Sequence, residues 1–148
     1  MIEQVIEKWH KYVKGKLSGG LDELLDEHVI FYSPVVYTPQ EGREITKLYL
    51  AAAAGTFGGD PGEEGATSAA GDDSQSGSFR YTKQVLSGNQ AVLEFESKIG
   101  GKYVNGVDII ECNDEGKIIE FRVMIRPLQA VNMIHQQMAS MLKQIQDS

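Results

Sequence analysis

The chain has 148 residues, a formal net charge of −7 at pH 7 and one cysteine, Cys112. This length predicts one domain, here residues 1–148, with one hydrophobic core. The acidic surface repels a phosphate backbone and so disfavours a nucleic-acid partner, and the lone cysteine excludes an internal disulfide and a thiolate metal cluster.

The first residues and the apolar runs bear on location. No apolar run approaches the roughly 20 residues that a membrane span requires. Residues 1–4 have neither the basic start nor the apolar run of a signal peptide. We therefore expect a cytoplasmic protein that has no membrane partner.

The first third of the sequence is predicted to be mainly helical. Apolar residues at helical spacing predict an amphipathic helix from residue 2 to about 16. A short leucine-rich helix near residues 21–26 and a strand near residues 28–33 follow. A further helix begins near residue 41 and includes an alanine run of high helix propensity.

Residues 55–77 differ in composition from the rest of the chain. They are rich in Gly, Ser, Ala, Asp and Glu, with almost no apolar side chain after Phe57. Such a segment cannot bury enough surface to fold by itself. The sequence predicts a loop insertion, which is either a lid over a site or a plain surface insertion.

The second half of the chain alternates between apolar and polar residues. Four strands are predicted near residues 79–86, 91–99, 104–112 and 117–126, with Gly- or Asn-containing turns between them, and a last helix from about Leu128. These elements predict an α+β fold in which a strongly curved antiparallel sheet wraps over the helices.

Asp108 lies in the most hydrophobic stretch of the chain, beside Val107, Ile109 and Ile110. Desolvation penalises the charged carboxylate, so this side chain must find a partner or keep its proton. Carboxyls perturbed in this way are candidates for chemistry. The alternative is a structural hydrogen bond that has no catalytic role.

The hairpin sequence that begins at Asp108 carries a family resemblance. Residues 108–118, Asp-Ile-Ile-Glu-Cys-Asn-Asp-Glu-Gly-Lys-Ile, the order of elements and the helix start at residues 41–44 resemble the ketosteroid isomerase and polyketide cyclase (SnoaL-like) branch of the nuclear transport factor 2 superfamily. The resemblance covers nearly the whole chain and implies a cone-shaped, cystatin-like sheet around the N-terminal helices. This fold hosts enzymes, ligand binders and inert dimerisation modules.

The resemblance also implies site residues. In the isomerases, a tyrosine on the first helix and a protonated Asp on this strand form an oxyanion hole. Tyr12 and Asp108 match those positions and are the implied catalytic residues. The isomerase's base, an Asp before a proline, is replaced here by Ser33 before Pro34. His28 is either a substitute base or an ordinary histidine of the strand.

Together these inferences predict a small-molecule site. We expect it to hold an apolar, carbonyl-bearing molecule, with Asp108 protonated and donating toward a developing oxyanion. Turnover, if it occurs, would be isomerase- or lyase-like acid–base chemistry that requires no metal and no cofactor. The predicted pocket residues are Trp9, Phe31, Ser33, Leu93, Phe95, Ser97, Phe121, Val123 and Ile125.

A competing hypothesis is a non-catalytic homodimer whose pocket is vestigial. Its support is the outer sheet face, where charges of both signs and a methionine could meet a second copy. The same side chains are equally compatible with plain solvent exposure. They are Glu94, Glu96, Arg122, Met124 and Arg126.

Overall fold

The computed structural model describes residues 1–57, 79–99 and 101–147. Most of the predicted insertion lies outside these ranges, although residues 55–57 continue a helix. The elements are α1 (Ile2–Val13), α2 (Gly20–Leu24), β1 (Leu25–Tyr32), β2 (Gln40–Glu41), α3 (Arg43–Phe57), β3 (Arg80–Ser87), β4 (Gln90–Ile99), β5 (Lys102–Cys112), β6 (Ile118–Arg126) and α4 (Leu128–Asp147).

The six strands form one curved sheet in the order β2-β1-β6-β5-β4-β3. The predicted meander of β3 to β6 and the α+β class are confirmed. Two details differ from the expectation. The short strand β2 was not predicted, and β1 pairs with β6 in parallel, because a long connection through α3 and the other strands separates them in sequence.

Side-chain alternation gives the sheet one buried face. In β4, Ala91, Leu93 and Phe95 are buried whereas Val92 is exposed, as the alternation predicts. Alternation from the outward-facing Arg122 and Met124 predicts that Ile118 also faces outward, but Ile118 is fully buried. A register shift in the β5–β6 pairing places it opposite Cys112, because one extra β6 residue is accommodated there.

The buried face packs against helices in two clusters. Helix α1 contributes its apolar stripe to the first, and helices α3 and α4 cover the other end of the sheet. Burying these side chains supplies the main driving force for the fold. The first cluster includes Ile2, Val5, Ile6, Trp9, Phe31, Leu93 and Phe121, and the second includes Ala52, Phe95, Ile99, Val104, Ile134 and Met138.

The β5–β6 hairpin is held by Asn113. Its Oδ1 accepts hydrogen bonds from the backbone N–H groups of Glu115 at 2.9 Å and Lys117 at 3.0 Å. Gly116 has φ +79°, a left-handed conformation that favours glycine. Lys117 Nζ donates to the carbonyl of Glu23 at 2.6 Å and so ties the turn to α2. This turn sets the pairing of β5 with β6.

Candidate functional site

Asp108 lies on the buried face of the sheet, midway along β5. Its backbone neighbours are Leu93 on β4 and Val123 on β6. The residue is only 6% exposed. Few Asp residues are buried to this degree without a partner. The hydrogen bonds of Asp108 therefore affect which protonation state it adopts.

A hydrogen-bonded chain of three side chains ends at this carboxyl. The Tyr81 hydroxyl donates to Asp108 Oδ2 at 2.6 Å, and Trp9 Nε1 donates to the Tyr81 hydroxyl oxygen at 2.8 Å. No described residue hydrogen-bonds to Asp108 Oδ1. The carboxyl therefore has one engaged oxygen and one without a described hydrogen-bond partner.

Burial and this hydrogen bond act in opposite directions on the ionisation of Asp108. The pKa of Asp108 is raised to about 7, because the effect of burial exceeds the opposing effect of the hydrogen bond from Tyr81. Burial and the nearby Asp108 charge raise the pKa of Tyr81 well above its ordinary value. At neutral pH the phenol is thus uncharged, and both forms of the carboxyl are populated.

The phenol beside Asp108 is Tyr81 of β3, a residue that the sequence analysis did not select. Tyr12 is half-buried on α1, its ring centroid 5.4 Å from that of Trp9. Burial raises the pKa of Tyr12, and the described residues give its hydroxyl no hydrogen-bond partner. Trp9 thus contacts both phenols, one by its ring and one by its N–H group.

Predicted apolar lining residues surround the hydrogen-bonded side chains of Trp9, Tyr81 and Asp108. The Trp9 ring meets Phe121 edge-on at 5.0 Å, and Phe121 lies 6.0 Å from Phe31, all between ring centroids. The Tyr81 ring lies 6.2 Å from that of Phe95. Of the predicted lining residues, Trp9, Phe31, Leu93, Phe95, Ser97 and Phe121 are buried, whereas Ser33, Val123 and Ile125 are half-buried.

Ser33 has a structural role at the end of β1. Its Oγ accepts hydrogen bonds from the N–H groups of Val35 at 3.1 Å and Val36 at 3.4 Å. The hydroxyl thereby stabilises the turn that follows the strand. His28 is exposed, and its backbone N–H donates to Asp26 Oδ2. Neither residue contacts Asp108.

Ser97 is a second polar residue on the buried face. It is 3% exposed, and its Oγ has no hydrogen-bond partner among the described residues. A buried hydroxyl without a partner is energetically unfavourable. Ser97 lies on the same face of β4 as Leu93 and Phe95, and pairs with Val104.

The described residues contain no group of three or more His, Cys, Asp or Glu side chains that could hold a metal ion. None of their helices is both long and apolar enough to cross a membrane.

The structure closely resembles solved structures of one fold. It matches a steroid delta-isomerase from Pseudomonas aeruginosa at a TM-score of 0.81 and 25% identity, over 99% of this chain and 95% of that one. The chain has a ketosteroid isomerase-like, nuclear transport factor 2-like fold. The resemblance predicted from the residue 108–118 hairpin is thereby confirmed.

Two further solved structures extend the comparison. A cystatin-like protein from Silicibacter pomeroyi matches at a TM-score of 0.73 and 26% identity, over 92% of this chain and 83% of that one. The epoxide hydrolase/cyclase-like enzyme SalBIII, of pyran ring formation in salinomycin, matches at 0.55 and 16%, over 84% and 92%. No family model and no curated protein matches the chain.

Proposed function

We propose that the chain binds a small apolar molecule that carries a carbonyl group, and that Asp108 contacts the carbonyl oxygen. The observation that carries this proposal is a buried carboxyl on a mainly apolar sheet face, whose Oδ1 has no described hydrogen-bond partner. Ligand sites are typically apolar with a few convergent polar groups. The likeness to a steroid delta-isomerase supports a carbonyl-bearing ligand.

The chemistry follows from the protonation of Asp108. Below its pKa of about 7 the carboxyl is neutral and donates from Oδ1 to the carbonyl oxygen. A donor held in place inside a dry site stabilises negative charge that develops on that oxygen. Proton transfer on such a ligand, as in an isomerase or a cyclase, is the enzymatic form of the proposal. Tyr12, whose hydroxyl has no described partner, is the proposed second donor.

The usual base of the isomerases is replaced in this chain. Ser33 stands at that position, and its Oγ is already engaged with two backbone N–H groups. A serine hydroxyl without an adjacent base cannot accept a carbon-bound proton near neutral pH. We therefore expect ligand binding that exceeds any steroid isomerase activity.

Titration with testosterone, a conjugated ketosteroid, tests the proposal. Trp9 is the only tryptophan and contacts Tyr81, so its fluorescence reports directly on the site. We expect binding below about pH 7 that weakens about tenfold in Asp108→Ala, as loss of one buried hydrogen bond predicts. Glu111→Gln, on the outer face of the same strand, is the matched control.

The outcome that contradicts the proposal is equally direct. If neither Trp9 fluorescence nor calorimetry detects testosterone at acidic or neutral pH, this ligand class is wrong. Conversion of a β,γ-unsaturated ketosteroid to its conjugated isomer, followed by ultraviolet absorbance, then measures the enzymatic form separately. Activity equal in wild type and Asp108→Ala would exclude Asp108 from that reaction.

A second candidate function is a homodimeric accessory module with a vestigial pocket. The observation that favours it is the outer sheet face, where Met124 is 51% exposed and Val85 pairs with Val92, also exposed. Charges of both signs surround these residues, including the Arg80–Glu96 ion pair at 3.5 Å. Such a face is self-complementary for a two-fold partner.

Sedimentation velocity separates the dimer from the monomer. If the outer face binds a second copy, Met124→Glu shifts the micromolar protein toward monomer, because a carboxylate would be buried at the interface. Leu128→Glu is the control, since Leu128 is an exposed apolar residue, 73% accessible, at the start of α4. A wild-type protein that is monomeric at these concentrations refutes the dimer.

A further inference from the structure

The first hydrogen bond of this network has only one possible direction. An indole N–H can only donate, so Trp9 must donate to the Tyr81 hydroxyl oxygen. A phenol has a single proton to donate. At 2.6 Å, Asp108 Oδ2 is the acceptor of that proton, a length typical of a hydrogen bond between a hydroxyl and a carboxylate.

We propose that Tyr81 is a positioning residue for the ligand site. Its hydroxyl holds Asp108 Oδ2, so that only Oδ1 contacts the ligand. This inference rests on the proposed function and defines its geometry. Tyr81 is not itself a donor to the ligand, because its only proton is used on Oδ2. The proton of a neutral Asp108 therefore resides on Oδ1, since Oδ2 already accepts from the phenol.

The ring of Tyr81 is fixed independently of its hydroxyl. It packs edge-on against Phe79 at 5.1 Å, Phe95 at 6.2 Å and His10 at 5.3 Å between ring centroids. Replacing the hydroxyl alone thus leaves these contacts in place. Tyr81→Phe is consequently a test of the hydrogen bond rather than of the packing.

Few other ionisable groups lie near Trp9, Tyr81 and Asp108, and a variant can test the contribution of each. On α1, His10 contacts the Tyr81 ring and bonds Gln84 at 2.8 Å, and Tyr12 lies against Trp9. The neighbours of Asp108 on β4 and β6 are the apolar Leu93 and Val123. His10→Gln therefore tests whether a pH effect belongs to Asp108 or to the imidazole.

The experiment is a carboxyl-carbon NMR titration of Asp108 in wild type, Tyr81→Phe and Tyr103→Phe. We expect Tyr81→Phe to raise the Asp108 midpoint by about one pH unit, because the lost hydrogen bond favoured the ionised form. Tyr103→Phe, the same chemical change on an exposed phenol of β5, should leave the midpoint unchanged. The pH midpoint of testosterone binding should move with that of Asp108.

A second measurement needs no variant. The sole indole N–H resonance, that of Trp9, should titrate with the Asp108 midpoint in the wild-type protein, because Tyr81 links the two groups. An indole signal that follows His10 instead, and disappears from the titration in His10→Gln, would overturn the proposal. So would equal Asp108 midpoints in Tyr81→Phe and wild type.

The two proposals fail in distinguishable ways. If testosterone does not bind but Asp108 titrates differently in Tyr81→Phe, the ligand class is wrong and the role of Tyr81 in holding the carboxyl stands. If testosterone binds with an unchanged pH midpoint in Tyr81→Phe, the ligand proposal stands and the positioning role is refuted.

Discussion

The Tyr81 hydroxyl reaches Asp108 Oδ2 from across an intervening strand. Tyr81 lies on β3 and Asp108 on β5, with β4 between them in the sheet. Tyr81 pairs with Phe95, whereas Asp108 pairs with Leu93, two residues earlier on β4. The phenol thus extends diagonally over the buried face, and Trp9 closes the chain from α1. The elements α1, β3 and β5 each contribute one side chain to these two hydrogen bonds.

The ionisation of Asp108 makes the stability of the protein depend on pH. Its pKa rises from 3.8 to about 7 on folding, so the folded state binds a proton that the unfolded state has released between these values. Stability from this group is therefore full below about pH 4 and is lost as the pH rises toward 7. The loss is about 4 kcal/mol.

Asp108→Asn tests this dependence, because an amide cannot ionise and still accepts from Tyr81. Urea unfolding should show that Asp108→Asn gains stability relative to wild type as the pH rises from about 4 to about 7. The control Glu111→Gln should show no such gain. A stability difference between Asp108→Asn and wild type that is the same at both pH values contradicts the prediction.

Two buried hydroxyls provide a matched pair for hydrogen-bond energetics. Ser97 Oγ has no described partner, whereas Thr46 Oγ1 donates to the carbonyl of Gly42 at 2.8 Å. Ser97→Ala should therefore raise the free energy of unfolding by about 1 kcal/mol, and Thr46→Val should lower it by about the same amount. Chemical denaturation measures both. A marked loss of stability in Ser97→Ala would mean that Ser97 has a hydrogen-bond partner in solution.

Gly106 is required by close packing on the buried face. A Cβ at this position would lie 2.5 Å from the backbone oxygen of Met124 and 2.6 Å from Phe95 Cζ. We expect Gly106→Ala to lower the free energy of unfolding by about 1–3 kcal/mol, because the backbone contact cannot relax. The double variant Gly106→Ala with Phe95→Leu should recover part of that loss in the same denaturation assay. Strict additivity of the two changes would show that the Phe95 ring does not limit this position.

Local pattern was sufficient to predict the meander of β3 to β6 and the buried face of β4. The strict alternation of β4 identified Leu93, Phe95 and Ser97 as inward-facing, and their burial confirms it. The pattern was insufficient at Ile118. There the extra β6 residue changes the face, and a bulge depends on how two strands pair rather than on either strand alone.

The tyrosine that hydrogen-bonds to Asp108 shows a second limit of prediction from the sequence. The family resemblance implied a phenol on the first helix, Tyr12, whereas the phenol that hydrogen-bonds to Asp108 is Tyr81, on the edge strand β3. The sequence signal for Tyr81 was its position two residues after Phe79, on the same face of the strand predicted near residues 79–86. That signal does not identify which phenol spans β4, because the span depends on the curvature of the sheet and the β3–β4 register shift after Tyr81.

Asn113 links the hairpin of the family resemblance to the position of Asp108. Its Oδ1 accepts two backbone hydrogen bonds, and its Nδ2 donates to Asp26 Oδ1 at 3.3 Å. Asn113→Ala should lower the free energy of unfolding by about 1–2 kcal/mol, because two turn N–H groups lose their acceptor. Asp114→Ala, an exposed neighbour in the same turn, is the control. Because this turn sets the β5–β6 register, the Asp108 carboxyl resonance should also shift in Asn113→Ala, and an unmoved resonance would separate the turn from the site.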